Sequence, residues 1–160
     1  MKTLYLVRHA KSSWEFNIDD HQRPLNERGY KDAEKVGLHL ASQKLPIEKV
    51  LSSDANRAKT TATIVTGLMN IDETLVRMEP KLYDFSGGKV VEMIKNCENT
   101  INHLMVFGHN HAFTTIANQY GSEVIGNVPT SGVVAIQFDV DHWSDINKGK
   151  TVFTVVPKAL

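Results

Sequence analysis

The sequence predicts an α/β fold: a single three-layer α/β/α domain over residues 1–160, with a mostly parallel central sheet and an antiparallel element near the C-terminus. Three observations predict it. The continuous apolar runs Leu4 to Val7 and Leu104 to Phe107 lack period-2 alternation, as strands buried on both faces of a parallel sheet do. Segments with apolar residues at helical spacing lie between the strand-like runs, and strands alternating with helices wind into a sheet between two helix layers. The length of 160 residues, with 41% hydrophobic and 22% charged side chains, suits one core and argues against disorder.

Strand 1, Leu4 to Val7, runs into Arg8 and His9 and so delivers a cation and an imidazole to the carboxyl edge of the sheet. In open α/β folds that edge binds ligands. Residues 10 to 25 have no helical or strand period and hold Trp14, Phe16, Asp19, Asp20, His21 and Pro24. Loops of this length in compact domains are often functional. Trp14 and Phe16 are expected either to contact a substrate or to anchor this loop to the core. Asn26 suits an N-cap for a helix with Ala33, Val36 and Leu40 on one face. Pro46 ends the connection, and Ile47, Val50 and Leu51 make a short second strand.

Ser53 or Asp54 can cap the next helix, whose buried face is Ala58, Ala62, Val65 and Met69. Arg57 then falls in its first turn, where a cation opposes the helix dipole. A bound anion would offset that cost, because helix N-termini and guanidinium groups both favour phosphate. A third strand fits Leu75 to Met78, followed by Pro80, the stretch Leu82 to Phe85 and a turn at Ser86 to Gly88. Val90, Ile94, Cys97 and Ile101 form a helical stripe, which makes Cys97 a small core residue. Strand 4, Leu104 to Phe107, ends in Gly108-His109-Asn110-His111, and a helix with Phe113, Ile116, Ala117 and Tyr120 follows. The rest holds Pro129 to Gly132, a strand at Val133 to Phe138, a hydrophilic hairpin near Asp141 to Lys150, and a last strand at Thr151 to Val156.

Composition narrows the function. Eighteen basic residues balance eighteen acidic ones, so no overall field favours nucleic acid or an acidic membrane, and neither is an expected partner. An anion site must therefore be local. The single cysteine excludes an internal disulfide framework and a multi-Cys metal site, and it fits a reducing cytosol. No apolar run approaches the roughly 20 residues needed to span a membrane, so the expected location is cytoplasmic. Arg8, His9, Arg57 and His109 all fall at the carboxyl side of the expected sheet, where they can converge on one pocket. Arginines make bidentate, charge-assisted bonds to phosphoryl oxygens. A neutral imidazole can attack phosphorus, and a second one can donate to oxygens that gain charge in the transition state.

On these residues the chain resembles the histidine phosphatase (phosphoglycerate-mutase-like) superfamily, and within it the short SixA-type phosphohistidine phosphatases. The matching segments are Leu6-Val7-Arg8-His9-Ala10 and Arg23-Pro24-Leu25-Asn26-Glu27-Arg28-Gly29. Ser52-Ser53-Asp54 with Arg57-Ala58 and Thr61-Ala62, then Leu82-Tyr83-Asp84, then Gly108-His109-Asn110 complete the ordered set. The resemblance implies one such domain over residues 1–160 and a covalent phosphohistidine formed on His9, hydrolysed by water. It implies that Arg8, Arg57 and His109 clamp the phosphoryl oxygens, and that no metal or organic cofactor takes part. Asp84 occupies the place where larger members carry a glutamate and is the candidate general acid; capping of the next turn is the other reading. The implied partner is a phosphorylated substrate, either a phosphohistidine-bearing protein or a small phosphoester.

Two departures are visible. Ala10 replaces the glycine common after the nucleophile, and His111 stands where many relatives carry proline. A weak acid suits phosphohistidine, because an imidazole leaves far more easily than an alkoxide. The strand-to-helix connections also leave little material for a lid, apart from the loop at 10 to 25. A small-molecule phosphomonoesterase and a non-catalytic phosphate-binding module are the alternatives. A metallohydrolase using His109 and His111 is disfavoured, since Arg8 and Arg57 would repel a divalent cation. His21, His39, His103 and His142 carry no motif and are expected to be structural or at the surface.

Overall fold

A computed structural model describes residues 1–160. Its elements are β1 (Lys2–Arg8), α1 (Glu27–Ser42), β2 (Lys49–Ser52), α2 (Asn56–Leu68), β3 (Val76–Met78), α3 (Gly88–Lys95), β4 (His103–Gly108), α4 (Ala112–Tyr120), β5 (Val133–Phe138) and β6 (Lys150–Val155). Six strands form one sheet in the order β3-β2-β4-β1-β5-β6. The pairings of β1 with β4, β2 with β4 and β2 with β3 are parallel; β5 runs antiparallel to both β1 and β6. This is the mostly parallel α/β sheet that the sequence predicts, with its antiparallel part at the C-terminal end.

The uniform apolar character of the central strands has a direct structural cause. Leu4 and Leu6 of β1, with Leu104 and Val106 of β4, pack against Val90, Ile94, Phe113 and Ile116 from α3 and α4. Tyr5 and Val7, with Met105 and Phe107, pack on the other face against Val36, Leu40, Ala62 and Val65 from α1 and α2. Both faces of each strand are covered, so neither needs a polar face. At roughly 25 cal/mol per Å² of apolar area, the two half-cores supply the main favourable term.

Four local expectations are corrected. Helix α3 stops at Lys95, so Cys97 is buried just beyond it and Ile101 packs from an irregular segment. The segment's polar groups find tertiary partners instead of continuing the helix: Asn99 Oδ1 accepts from the Trp143 backbone N–H at 2.9 Å, and Asn102 Oδ1 accepts from Lys2 Nζ at 2.8 Å. The residue capping α2 is Ala55, with no side-chain cap bond, rather than Ser53 or Asp54. Both expected caps are engaged elsewhere, Ser53 with His109 and Asp54 with His21. The second strand begins at Lys49, which leaves Ile47 outside it. The connection before β6, hydrophilic in sequence, is pinned by Trp143, which is fully buried and donates from Nε1 to the Ile101 carbonyl at 2.7 Å.

Candidate active site

Strand register brings the two histidines together. Arg8 pairs with Gly108 across β1 and β4, and the His9 backbone N–H donates to the Gly108 carbonyl at 3.0 Å. One residue further on, the rings of His9 and His109 lie 5.2 Å apart between centroids. Ser53, one residue past β2, meets the same edge: its Oγ lies 2.8 Å from His109 Nε2. Three adjacent parallel strands thus end on one spot, as expected of an open α/β sheet.

His9 is held in a defined tautomer. Its Nδ1 lies 2.7 Å from the Ala10 carbonyl, which can only accept, so Nδ1 carries the proton and Nε2 keeps its lone pair. Burial first, and then the charges of Arg57, Arg8 and Arg23, push its pKa from an ordinary 6.5 to about 3, against the opposing pull of the Ala10 bond. His109 is pushed to about 3 as well, again chiefly by burial. Both rings are neutral through the neutral pH range, so each keeps one ring nitrogen with a free lone pair.

The arginines surround them. Arg57 is 3% exposed; its Nη1 donates to the Asp20 carbonyl at 2.7 Å and its Nη2 to Asp20 Oδ2 at 2.9 Å. The dipole penalty of a cation in the first turn of α2 is thus offset from within the chain, by a carboxylate from the 10–25 loop. Arg8 donates from Nη1 to the Val128 carbonyl at 2.8 Å, while its buried Nε has no partner. The other buried side-chain polar atoms without partners are His109 Nδ1 and Ser131 Oγ, and the Ser131 backbone N–H bonds the Arg8 and His9 carbonyls. All three groups belong to residues that adjoin His9: Arg8 precedes it, the His109 ring lies 5.2 Å away and the Ser131 backbone bonds its carbonyl. Buried polar groups are rarely left unsatisfied.

A cavity of about 290 Å³ is lined by Arg8, His9, Arg57, Arg23, Asp20 and Trp14 among others. Larger surface hollows of about 510 and 610 Å³ lie beside α2 and α1, and neither holds a histidine. No group of three or more His, Cys, Asp or Glu side chains is arranged to hold a metal ion.

Arg8, His9 and Arg57 line the cavity and the His109 ring packs against His9 from behind the wall, while Asp84 is not on the wall. Asp84 accepts from the backbone N–H groups of Ser86, Gly87, Lys89 and Val90 at 3.0–3.2 Å, and from Ser86 Oγ at 3.1 Å. Burial raises its pKa, but these bonds outweigh burial and hold the carboxyl below its ordinary value. A carboxylate with both oxygens engaged in capping the start of α3, and kept ionised, is poorly placed to donate a proton. Of the two readings of Asp84, the contacts are those of the cap.

Sequence reasoning gave Asp20, Arg23, Ser53 and Tyr83 no part in the site, and all of them meet here. Arg23 is 6% exposed, donates to Asp20 Oδ1 at 2.9 Å and to Ser13 and Ser12, and lies 3.2 Å beneath the centre of the Trp14 ring. The Tyr83 hydroxyl donates to Asp20 Oδ2. The signals that could have found this network were the presence of Arg23, Ser53 and Tyr83 in the motif segments and the opposite charges of Asp20 and Arg23 three residues apart in the loop. Trp14 lines the cavity at 78% exposure, and Phe16, also exposed, is absent from its wall; neither is buried in the core.

Fold and edge together define a class: an α/β protein whose parallel strands converge on a pocket lined by arginines and a histidine. The chain belongs to the histidine phosphatase superfamily, branch 1, which it matches over residues 4–123. It is 30% identical over 153 residues to an uncharacterised protein of Mycobacterium tuberculosis, covering 89% of this chain and 93% of that one. An uncharacterised chloroplastic protein of Arabidopsis thaliana is 30% identical over 156 residues, covering 90% of this chain and 70% of the relative. Among solved structures, the protein histidine phosphatase SixA complexed with tungstate superposes with a TM-score of 0.84 at 21% identity, over 98% of both chains. A SixA protein of Agrobacterium tumefaciens gives 0.83 at 22% identity, again over 98% of each chain. A phosphoserine phosphatase of Entamoeba histolytica gives 0.68 at 13% identity over 98% of each.

Proposed function

We propose that residues 1–160 form one phosphatase domain that works through a covalent phosphohistidine on His9, without a metal, and acts in the cytoplasm on phosphohistidine in proteins. The observation that carries this reading is His9 itself: a neutral, Nδ1-protonated imidazole set among Arg8, Arg57 and Arg23. In the first step Nε2 bonds to phosphorus, and the phosphorus bond to the substrate's imidazole nitrogen breaks; that imidazole leaves with its electron pair and takes a proton from solvent water. In the second step water bonds to phosphorus, the bond to Nε2 breaks, and phosphate leaves. Arg8, Arg57 and His109 bind the oxygens as their charge redistributes. Arg23 joins them in this reading, since its guanidinium lies on the same wall.

The P–N preference rests on Asp84. With that carboxylate engaged in a cap, the pocket lacks a dedicated strong proton donor, and an imidazole leaving group needs one least. The SixA relative with tungstate is named a protein histidine phosphatase, which supports the same reading. The cations around His9 would also repel a divalent ion, so addition of a chelator is expected to leave activity unchanged.

The test compares a phosphohistidine-bearing protein, free phosphohistidine and small alkyl phosphates, with His9→Ala as the control. The expected order of kcat/KM is protein, then free phosphohistidine, then alkyl phosphates, with the variant about a thousandfold or more below wild type. Equal or better turnover of alkyl phosphates would favour a small-molecule phosphomonoesterase. Full activity in His9→Ala would end the covalent mechanism.

A further inference from the structure

Asp20 occupies the arginines that a phosphoryl group needs. Its Oδ2 accepts from Arg57 Nη2 at 2.9 Å and from the Tyr83 hydroxyl, and its Oδ1 accepts from Arg23 Nη1 at 2.9 Å. Its backbone carbonyl accepts from Arg57 Nη1 at 2.7 Å. Asp20 is the only carboxylate on the cavity wall, against the cations Arg8, Lys11, Arg23 and Arg57. The arginine side chains are 4% and 8% exposed and the Asp20 side chain 44%, so the carboxylate reaches them from the solvent side. The cradle is thereby divided. On Arg8 the buried Nε has no partner within the chain; around Arg57 the cradle is already bonded to an internal anion.

We propose that Asp20 is a competing counter-ion that holds Arg57 and Arg23 in place in the free protein, opposes bound phosphate, and so sets how firmly the pocket retains its product. This rests on the phosphoryl-binding reading of the pocket. The physical need is plain. Three guanidinium groups around one small cavity repel one another, and without an internal anion that repulsion weighs on the free protein. Asp20 relieves it. A phosphate dianion then brings the same kind of charge to the same N–H groups, and the two anions disfavour each other. After hydrolysis, return of the carboxylate to Arg57 favours departure of phosphate.

Other contacts keep the turn in place while the carboxylate moves. His21 Nε2 lies 2.9 Å from Asp54 Oδ1, and Asn56 Nδ2 donates to the Gln22 carbonyl at 3.0 Å. Both tie residues 20–22 to the start of α2 without using the Asp20 side chain. Burial raises the Asp20 carboxyl pKa, but the bonds from Tyr83, Arg57 and Arg23 outweigh it and keep the group ionised well below the usual carboxylate range.

The test is calorimetric titration with phosphate and with tungstate at fixed ionic strength, on wild type, Asp20→Asn, Asp20→Ala and Asp19→Asn. Asp20→Asn keeps the shape and removes the charge; Asp19→Asn removes the same charge from the neighbouring residue, whose side chain makes no cap bond. Both Asp20 variants are expected to bind each anion about tenfold more tightly, with a lower melting temperature for the free protein, while Asp19→Asn stays within about twofold of wild type. Unchanged or weaker binding by Asp20→Asn overturns the proposal and makes Asp20 a positioning residue for the arginines. Equal tightening by Asp19→Asn overturns it too, by assigning the effect to the general field. Should Asp20→Ala fail to fold, the isosteric Asp20→Asn decides alone. Turnover of phosphohistidine by wild type, measured alongside, separates the two readings: no turnover with tighter binding in Asp20→Asn rejects the phosphatase and keeps the counter-ion.

Discussion

At the scale of single residues, the Ala10 carbonyl and the burial of the ring decide what His9 can do. One fixes the proton on Nδ1, and the other keeps Nε2 unprotonated down to a pH of about 3. The pH dependence follows with a clear sign. A nucleophile that must be neutral is lost only as pH falls through its folded pKa, so the acid limb of kcat/KM is expected near 3 and not near 6.5. Turnover of an aryl phosphate from pH 4 to 8, corrected for the substrate's own ionisation, checks this. A limb near 6.5 belonging to the enzyme would mean that His9 is solvated and ordinary. Arg57 teaches a related lesson. Its place in the first turn of α2 calls for an anion, and the chain supplies one from Asp20.

At the scale of elements, each site residue is set by where a strand stops. β1 and β4 end in register, which places His9 beside His109, and β2 ends one residue before Ser53, whose hydroxyl meets the His109 ring. Gly29 of α1 shows how closely the loop that carries Asp20 is packed. A Cβ built there would stand 2.1 Å from the Lys11 carbonyl oxygen, so only glycine lets the helix approach so near. The 84–88 turn is organised in the same local manner by Asp84. Asp84→Ala is expected to lower stability by about 2 kcal/mol and kcat by less than tenfold, read from urea unfolding and initial rates. A loss of a hundredfold or more in kcat with stability intact would restore the general-acid role.

At the scale of the whole molecule, burying two neutral histidines has a cost that appears in acid. His9 and His109 titrate near 3 when folded and near 6.5 when unfolded, so between these values the unfolded chain binds more protons. Stability therefore falls as pH drops below about 6.5. His103, whose pKa burial also lowers, adds in the same direction. Asp20 and Asp84, held below their ordinary values, extend the loss below about 4. Between pH 7 and 5 the loss should be roughly 4 kcal/mol, followed by the urea midpoint. His109→Gln, which keeps an amide near Ser53, is expected to remove about half of that dependence; an unchanged slope would mean that His109 is protonated in the folded protein.

The sequence by itself determined the α/β order of elements, the central strands without a polar face, and the convergence of Arg8, His9, Arg57 and His109. Those features are carried by short-range signals: apolar runs, helical spacing, and polar residues directly after strands that topology must gather at one edge. Even the uneasy position of Arg57 was legible, because the direction of a helix dipole follows from the chain. Only the tertiary structure decided who answers Arg57, what Asp84 does and where the two expected caps of α2 are engaged. Those questions concern hydrogen-bond partners up to 56 residues apart, such as Ser53 and His109, and a side chain with several possible partners takes the one that folding brings within reach. Asp84 found four backbone N–H groups within six residues of itself and was claimed by them. Asp20, in a loop without periodicity, was carried 37 residues along the chain to Arg57, and no local pattern specifies that meeting.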